Sequence, residues 1–80
     1  MAQIPYKYTN NVLRVDVELT NASNVFLVDS INYQNYINRR RFNYHGGYYN
    51  RSPLSITVQG AGNWYLIVED SNYRYKFHTS

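Results

Sequence analysis

From Val12 to Leu19 the chain alternates without interruption, with Leu13, Val15, Val17 and Leu19 on one side of an extended backbone and Arg14, Asp16 and Glu18 on the other. That period of two predicts a half-buried β-strand. The same rhythm returns in Leu54, Ile56 and Val58 against Ser55 and Thr57, entered through Pro53, and in Tyr73, Tyr75 and Phe77 against Arg74, Lys76 and His78. Val25-Phe26-Leu27-Val28 and the run from Trp64 to Val68 are apolar on both sides, and strands of that kind need cover on both faces. Trp64, Phe26 and Phe77 read as core residues. A short strand opens the chain, with Ile4, Tyr6 and Tyr8 opposite Pro5 and Lys7, and its proline assigns it to a sheet edge.

Between these runs stand polar turns: Asn10-Asn11, Thr20 to Asn24, Gln59 to Asn63, and Asp70-Ser71-Asn72. Asparagine bonds its own backbone and tolerates positive φ, which suits it to such positions. Asp29 and Ser30 offer N-cap oxygens to a single helical turn over Asn32 to Tyr36, which needs Tyr33 and Tyr36 packed against a sheet to persist. Phe42 and Tyr44 then alternate with Arg41 and Asn43, and Gly46-Gly47, which permits positive φ or close backbone approach, breaks the pattern as a hairpin or bulge. No helix of two turns or more is expected. The class is all-β, a sandwich or barrel of six to eight short strands with at most one short helical turn.

Eighty residues make one domain, 1–80, with a thin core, and the absence of cysteine removes disulfides and thiolate metal sites as reinforcement. The first five residues have no basic stretch followed by an apolar run, and nowhere do eighteen apolar residues stand together, so the expectation is a cytoplasmic protein without a membrane segment. Asn21-Ala22-Ser23 matches a glycosylation triplet and reads more simply as a turn.

Charge changes the picture more than length does. The net charge is +3, but the segment from Ser30 to Val68 holds four arginines and no acid, leaving −1 for the remainder. Asn32 to Pro53 concentrates five of the ten tyrosines, Phe42 and those four arginines. Guanidinium groups hold phosphates and phenol rings stack on planar ligands, so Arg39, Arg40, Arg41, Tyr44, His45, Tyr48, Tyr49 and Arg51 form the candidate ligand-binding set. The competing reading has four solvated arginines above Tyr33, Tyr36 and Tyr44 packed as a satellite core.

Catalytic chemistry finds no purchase in the spacing. His45 and His78 have no partner at metal-ligand separation, and five scattered acids form no metal cluster, so neither a metal nor a cofactor is expected. Ser52, His78 and Asp70 come without a nucleophile elbow, and Asp16 and Glu18 read as a solvated strand face. Gly46-Gly47 opens no helix, so no phosphate-loop fingerprint applies.

The order Asn24-Val25, Asn32-Tyr33-Gln34-Asn35-Tyr36, Tyr44-His45-Gly46-Gly47, Arg51-Ser52-Pro53, Gly62-Asn63-Trp64 and Asp70 resembles the bacterial family known as domain of unknown function 1883 over nearly the whole chain. Two turns depart from that family's pattern, where Gln59 replaces a proline and Asn10-Asn11 a glycine. The resemblance implies a compact β-sandwich, or pseudo β-prism, with one bent, bulged sheet. It also implies a sensing or interaction module that occurs alone or joined to TIR domains.

Three roles follow as expectations. The first is a non-catalytic module that recognises an anionic ring-bearing ligand, a nucleotide-derived signal or single-stranded nucleic acid. The second uses the same surface for a protein partner, such as a TIR-containing protein, or for homo-oligomerisation. The third is carbohydrate binding.

Overall fold

A computed structural model describes residues 4–70 and 72–79. Met1-Ala2-Gln3 and the middle residue of the Asp70-Ser71-Asn72 turn lie outside the described residues. Seven strands and one helix follow in the order β1 (Tyr6–Thr9), β2 (Val12–Leu19), β3 (Ser23–Asp29), α1 (Ser30–Ile37), β4 (His45–Tyr49), β5 (Leu54–Gln59), β6 (Gly62–Val68) and β7 (Tyr73–Thr79). They form two antiparallel sheets, one of four strands in the order β1-β6-β3-β4 and one of three in the order β5-β2-β7. The fold is therefore all-β, an open two-sheet sandwich.

The alternating strands behave as their patterns require. Leu13, Val15 and Val17 are fully buried, and Leu54, Ile56 and Val58 join them from β5. Val25 and Leu27 of β3 and Trp64 and Leu66 of β6 meet them from the opposite sheet. The Trp64 indole N–H, which would cost free energy if buried unpaired, donates to the Gly60 carbonyl at 3.1 Å. At one side of the sandwich β5 runs close to β4. At the other, Tyr75 of β7 lines an open hollow with Ile4, Pro5 and Tyr6. There Tyr75, although its register with Val17 points it inward, stays 47% exposed.

The two strands that are apolar on both faces hold a second layer. Val28 and Ile67 are buried but lie outside the cluster between the sheets, because their side chains point to the other face of the four-stranded sheet. Helix α1 packs across that face, against β3 and β6. Phe26 shares this outer face, half-buried beneath Phe42 at 5.8 Å and Tyr44 at 4.4 Å, so its core lies under the helix segment and not between the sheets.

Two local expectations need correction. The helix spans eight residues, Ser30–Ile37, and so exceeds the single turn read from sequence. Asp29 caps its start by accepting from the Asn32 backbone N–H at 2.9 Å, as its side-chain chemistry favours. At its end Arg39 N–H donates to Tyr36 and Arg40 N–H to Asn35, a Schellman closure with Arg39 at φ 57° in the left-handed position where glycine is usual. An isolated helix of this length is marginal; here Tyr33 stacks flat on Tyr65 at 4.1 Å and Tyr36 meets Phe42 edge-on at 5.3 Å.

The second correction concerns Gly46-Gly47, which make no hairpin. Both lie inside β4, paired with Phe26 and Val25, while residues 41–44 approach the sheet without being part of a strand. A Cβ on Gly46 would stand 2.1 Å from the Val25 carbonyl oxygen, so glycine is required there by close backbone approach within a strand and not by a turn.

Candidate functional site

Strand alternation divides the candidate residues between two faces. In the β3–β4 register Gly46 and Tyr48 oppose Phe26 and Asn24 and so point outward, whereas His45, Gly47 and Tyr49 oppose Leu27, Val25 and Ser23 and point toward the other sheet. Tyr44, one step before β4, packs on Phe26 and Phe42 and also belongs outside. Tyr49 is half-buried against the main core. His45 lies edge-on to the Trp64 ring at 5.7 Å. Tyr49 and His45 therefore face away from Tyr44 and Tyr48.

Arg39, Arg40 and Arg41 are exposed on the link between Ile37, on the helix, and Phe42, on the sheet. Both ends of that link are anchored to the outer face of the four-stranded sheet, which puts the three arginines on the side of Tyr44 and Tyr48. Arg51 is placed apart from them. It follows the far end of β4, a five-residue strand at about 3.4 Å per residue, and lines a shallow hollow with Leu19, Thr20, Asn21, Ala22, Asn50 and Ser52.

The structure adds residues that the sequence did not single out. Tyr6 and Tyr8 oppose Tyr65 and Asn63 in the β1–β6 register, so they stand on the same outer face, at its opposite edge. With Ile31 and Ile37 of the helix they are strongly exposed, as are Tyr44 and Tyr48. Tyr6 also touches Tyr65 at 5.4 Å, continuing the stack begun by Tyr33. The helix thus forms a ridge between two tyrosine margins: Tyr6 and Tyr8 on β1, Tyr44 and Tyr48 on β4. The alternation of Tyr6 with Tyr8 was visible in sequence. Its meeting with the Tyr44 side depends on strand order, which no local pattern encodes.

Two physical roles compete for the arginines. They follow the helix C-terminus, where a positive charge complements the unpaired carbonyls, each contribution being about 0.3–1 kcal/mol at low salt. Arg39 further accepts a backbone conformation that disfavours any residue with a Cβ. Arg40 and Arg41 have no such backbone constraint, and their exposed guanidinium groups are available to an anion.

The opposite outer face, on the three-stranded sheet, carries charges of both signs. Asp16 accepts from the Ser55 hydroxyl at 2.6 Å, lies 2.9 Å from His78 Nε2 and pairs with Arg14 at 3.2 Å. The Ser55 hydroxyl holds the Asp16 carboxyl below its ordinary value; partial desolvation opposes this, and His78 and Arg14 reinforce it. Nearby, burial raises the Tyr73 phenol, helped by Tyr75. The Ser55-Asp16-His78 row places the acid in the middle, which is not the serine–histidine–acid order of a triad. Among the described residues no three His, Cys, Asp or Glu side chains gather as metal ligands, and no helix is long and apolar enough to cross a membrane.

The family model described as Domain of unknown function (DUF1883) matches residues 6–78. Neither the comparison with curated proteins nor that with solved structures finds a match.

Proposed function

The chain belongs to the family described as Domain of unknown function (DUF1883), and from the chemistry of its surface we propose that it is a non-catalytic binding module whose helix-bearing face takes single-stranded nucleic acid. One observation carries the reading. Tyr44 and Tyr48, 49% and 67% exposed, stand on the outer side of the four-stranded sheet together with the Arg39–Arg41 link. Proud phenol rings accept bases by stacking, and adjacent guanidinium groups accept the phosphates between them.

An extended ligand suits this face better than a compact nucleotide. The rings stand out from the surface, and the main hollows of the molecule are lined by other residues than Tyr44, Tyr48 and Arg39 to Arg41, one by Glu18, Leu19, Thr20, Asn72, Tyr73 and Arg74 and another, at the start of α1, by Asp29 to Ile31 with Ala61 to Trp64. Of the sequence candidates, Arg39, Arg40, Arg41, Tyr44 and Tyr48 belong to the proposed face; His45, Tyr49 and Arg51 do not.

Fluorescence anisotropy with a labelled single-stranded oligonucleotide tests the proposal. Affinity is expected to fall steeply with salt, and Arg40→Ala with Arg41→Ala to lower the slope of log K against log salt by about 0.7 per arginine. Tyr48→Ala is expected to cost about 1–3 kcal/mol of binding. Absence of binding at low salt, or a slope unchanged by the double variant, rejects the proposed role.

A further inference from the structure

We propose that the chain forms a two-fold dimer by pairing β4 with β4 of a second copy, making one continuous eight-stranded sheet. The sheet order leaves β4 with a neighbour on one side only, so alternate backbone N–H and C=O groups along His45–Tyr49 face outward. Protein edges are ordinarily guarded by proline or by charge. Pro5 and Lys7 guard β1, Arg74 and Lys76 guard β7, and Pro53 precedes β5. Strand β4, His-Gly-Gly-Tyr-Tyr, has no such guard: no proline, lysine or arginine lies within it or immediately before it.

Self-pairing is also what the residue order fits. Directly opposed residues in an antiparallel pair turn their amides the same way, so the dyad must fall on a residue, and only Gly47 pairs the five-residue strand with itself throughout. Gly46 then opposes Tyr48 of the second copy, and His45 opposes Tyr49 of the second copy. Gly46 carries no side chain, so the facing Tyr48 ring, 67% exposed in the single chain, lies over its backbone in the manner by which aromatic residues support strand glycines. No lysine, arginine or acid is brought against its like along the new ladder.

A dyad on Gly47 stands perpendicular to the sheet, so both helix-bearing faces end on the same side. The pairing shares Tyr48 with the proposed binding face but uses none of the arginines, so the arginine variants tell the two apart.

Sedimentation velocity over a concentration series reaching millimolar tests it. The full chain is expected at twice its 9.5 kDa mass, and Tyr48→Lys, which changes an exposed side chain and sets a cation beside the dyad, is expected to raise the dimer dissociation constant about tenfold or more. Thermal melts of the variant verify that it folds. Hydrogen exchange of the wild type is expected to slow at alternate amides of His45–Tyr49 as concentration rises. A wild-type chain that stays monomeric throughout, or a dimer that Tyr48→Lys and the β4 amides do not register, overturns the proposal. Arg40→Ala with Arg41→Ala is expected to leave the dimer intact, which separates this result from failure of the binding face.

Discussion

On the three-stranded sheet the outward positions are Arg14, Asp16, Glu18, Ser55, Thr57, Arg74, Lys76 and His78, with Asp16 bonded to Ser55, His78 and Arg14. On the four-stranded sheet they are Asn24, Phe26, Val28, Asn63, Tyr65 and Ile67, flanked by Tyr6, Tyr8, Gly46 and Tyr48 at the edges. The first face is polar at every one of these positions, ties Asp16 to three neighbours and meets water. The second buries Val28 and Ile67 beneath a helix none of whose own residues is buried, and leaves tyrosines, isoleucines and arginines outside. A sandwich of this size needs only its inner faces for a core. The extra apolar layer therefore goes beyond what the fold alone demands, and exposed aromatic and arginine side chains of this kind are what interfaces are made of.

The largest way to break this contrast is at the backbone under the aromatic layer. Gly46→Ala forces a methyl group against the Val25 carbonyl in a conformation that side chains rarely adopt, and it is expected to cost about 3 kcal/mol or more in urea unfolding. Ile67→Ala empties the space under α1 and is expected to destabilise by about 2–4 kcal/mol, with the helix amides losing hydrogen-exchange protection before those of β2.

Smaller changes sharpen it. Arg39→Gly relieves the left-handed position and is expected to raise stability by about 0.5–1 kcal/mol, because the backbone term exceeds one screened helix-end charge. A loss of stability in the same urea assay would show that the Arg39 charge matters more than its backbone strain. The smallest effect lies on the opposite face. The folded Asp16 carboxyl titrates below its unfolded value, so its contribution is complete above the ordinary carboxylate range and fades as pH falls through the folded value. Urea midpoints from neutral to strongly acidic pH are expected to show a slightly weaker acid dependence in Asp16→Asn.

Local chemistry made much of this legible in the chain. The strand faces of β2, β5 and β7, the double-sided β3 and β6, the Asp29 cap and the role of Tyr33 and Tyr36 as helix anchors all follow from periods of two and from short-range hydrogen bonding. The helix extent was missed because Asn-rich Ser30–Ile37 has weak intrinsic preference, and its last turn is closed by an arginine where glycine would have signalled the end. Gly46-Gly47 read as a turn because the need for them comes from Val25, twenty-one residues earlier in the chain.

The sequence by itself determined that this protein is all-β, which residues of each strand share a side, and that its cationic charge gathers in the middle third. Alternation and composition are properties of neighbouring residues, so they need no partner to be read. Only the tertiary structure decided that Tyr48 and Tyr49 face opposite ways relative to the core, that Tyr6 and Tyr8 join the Tyr44 side, that Arg51 lies apart, and that β4 is left as an edge. These depend on which strand pairs with which and in what register, and that is settled by contacts between residues far apart in the chain.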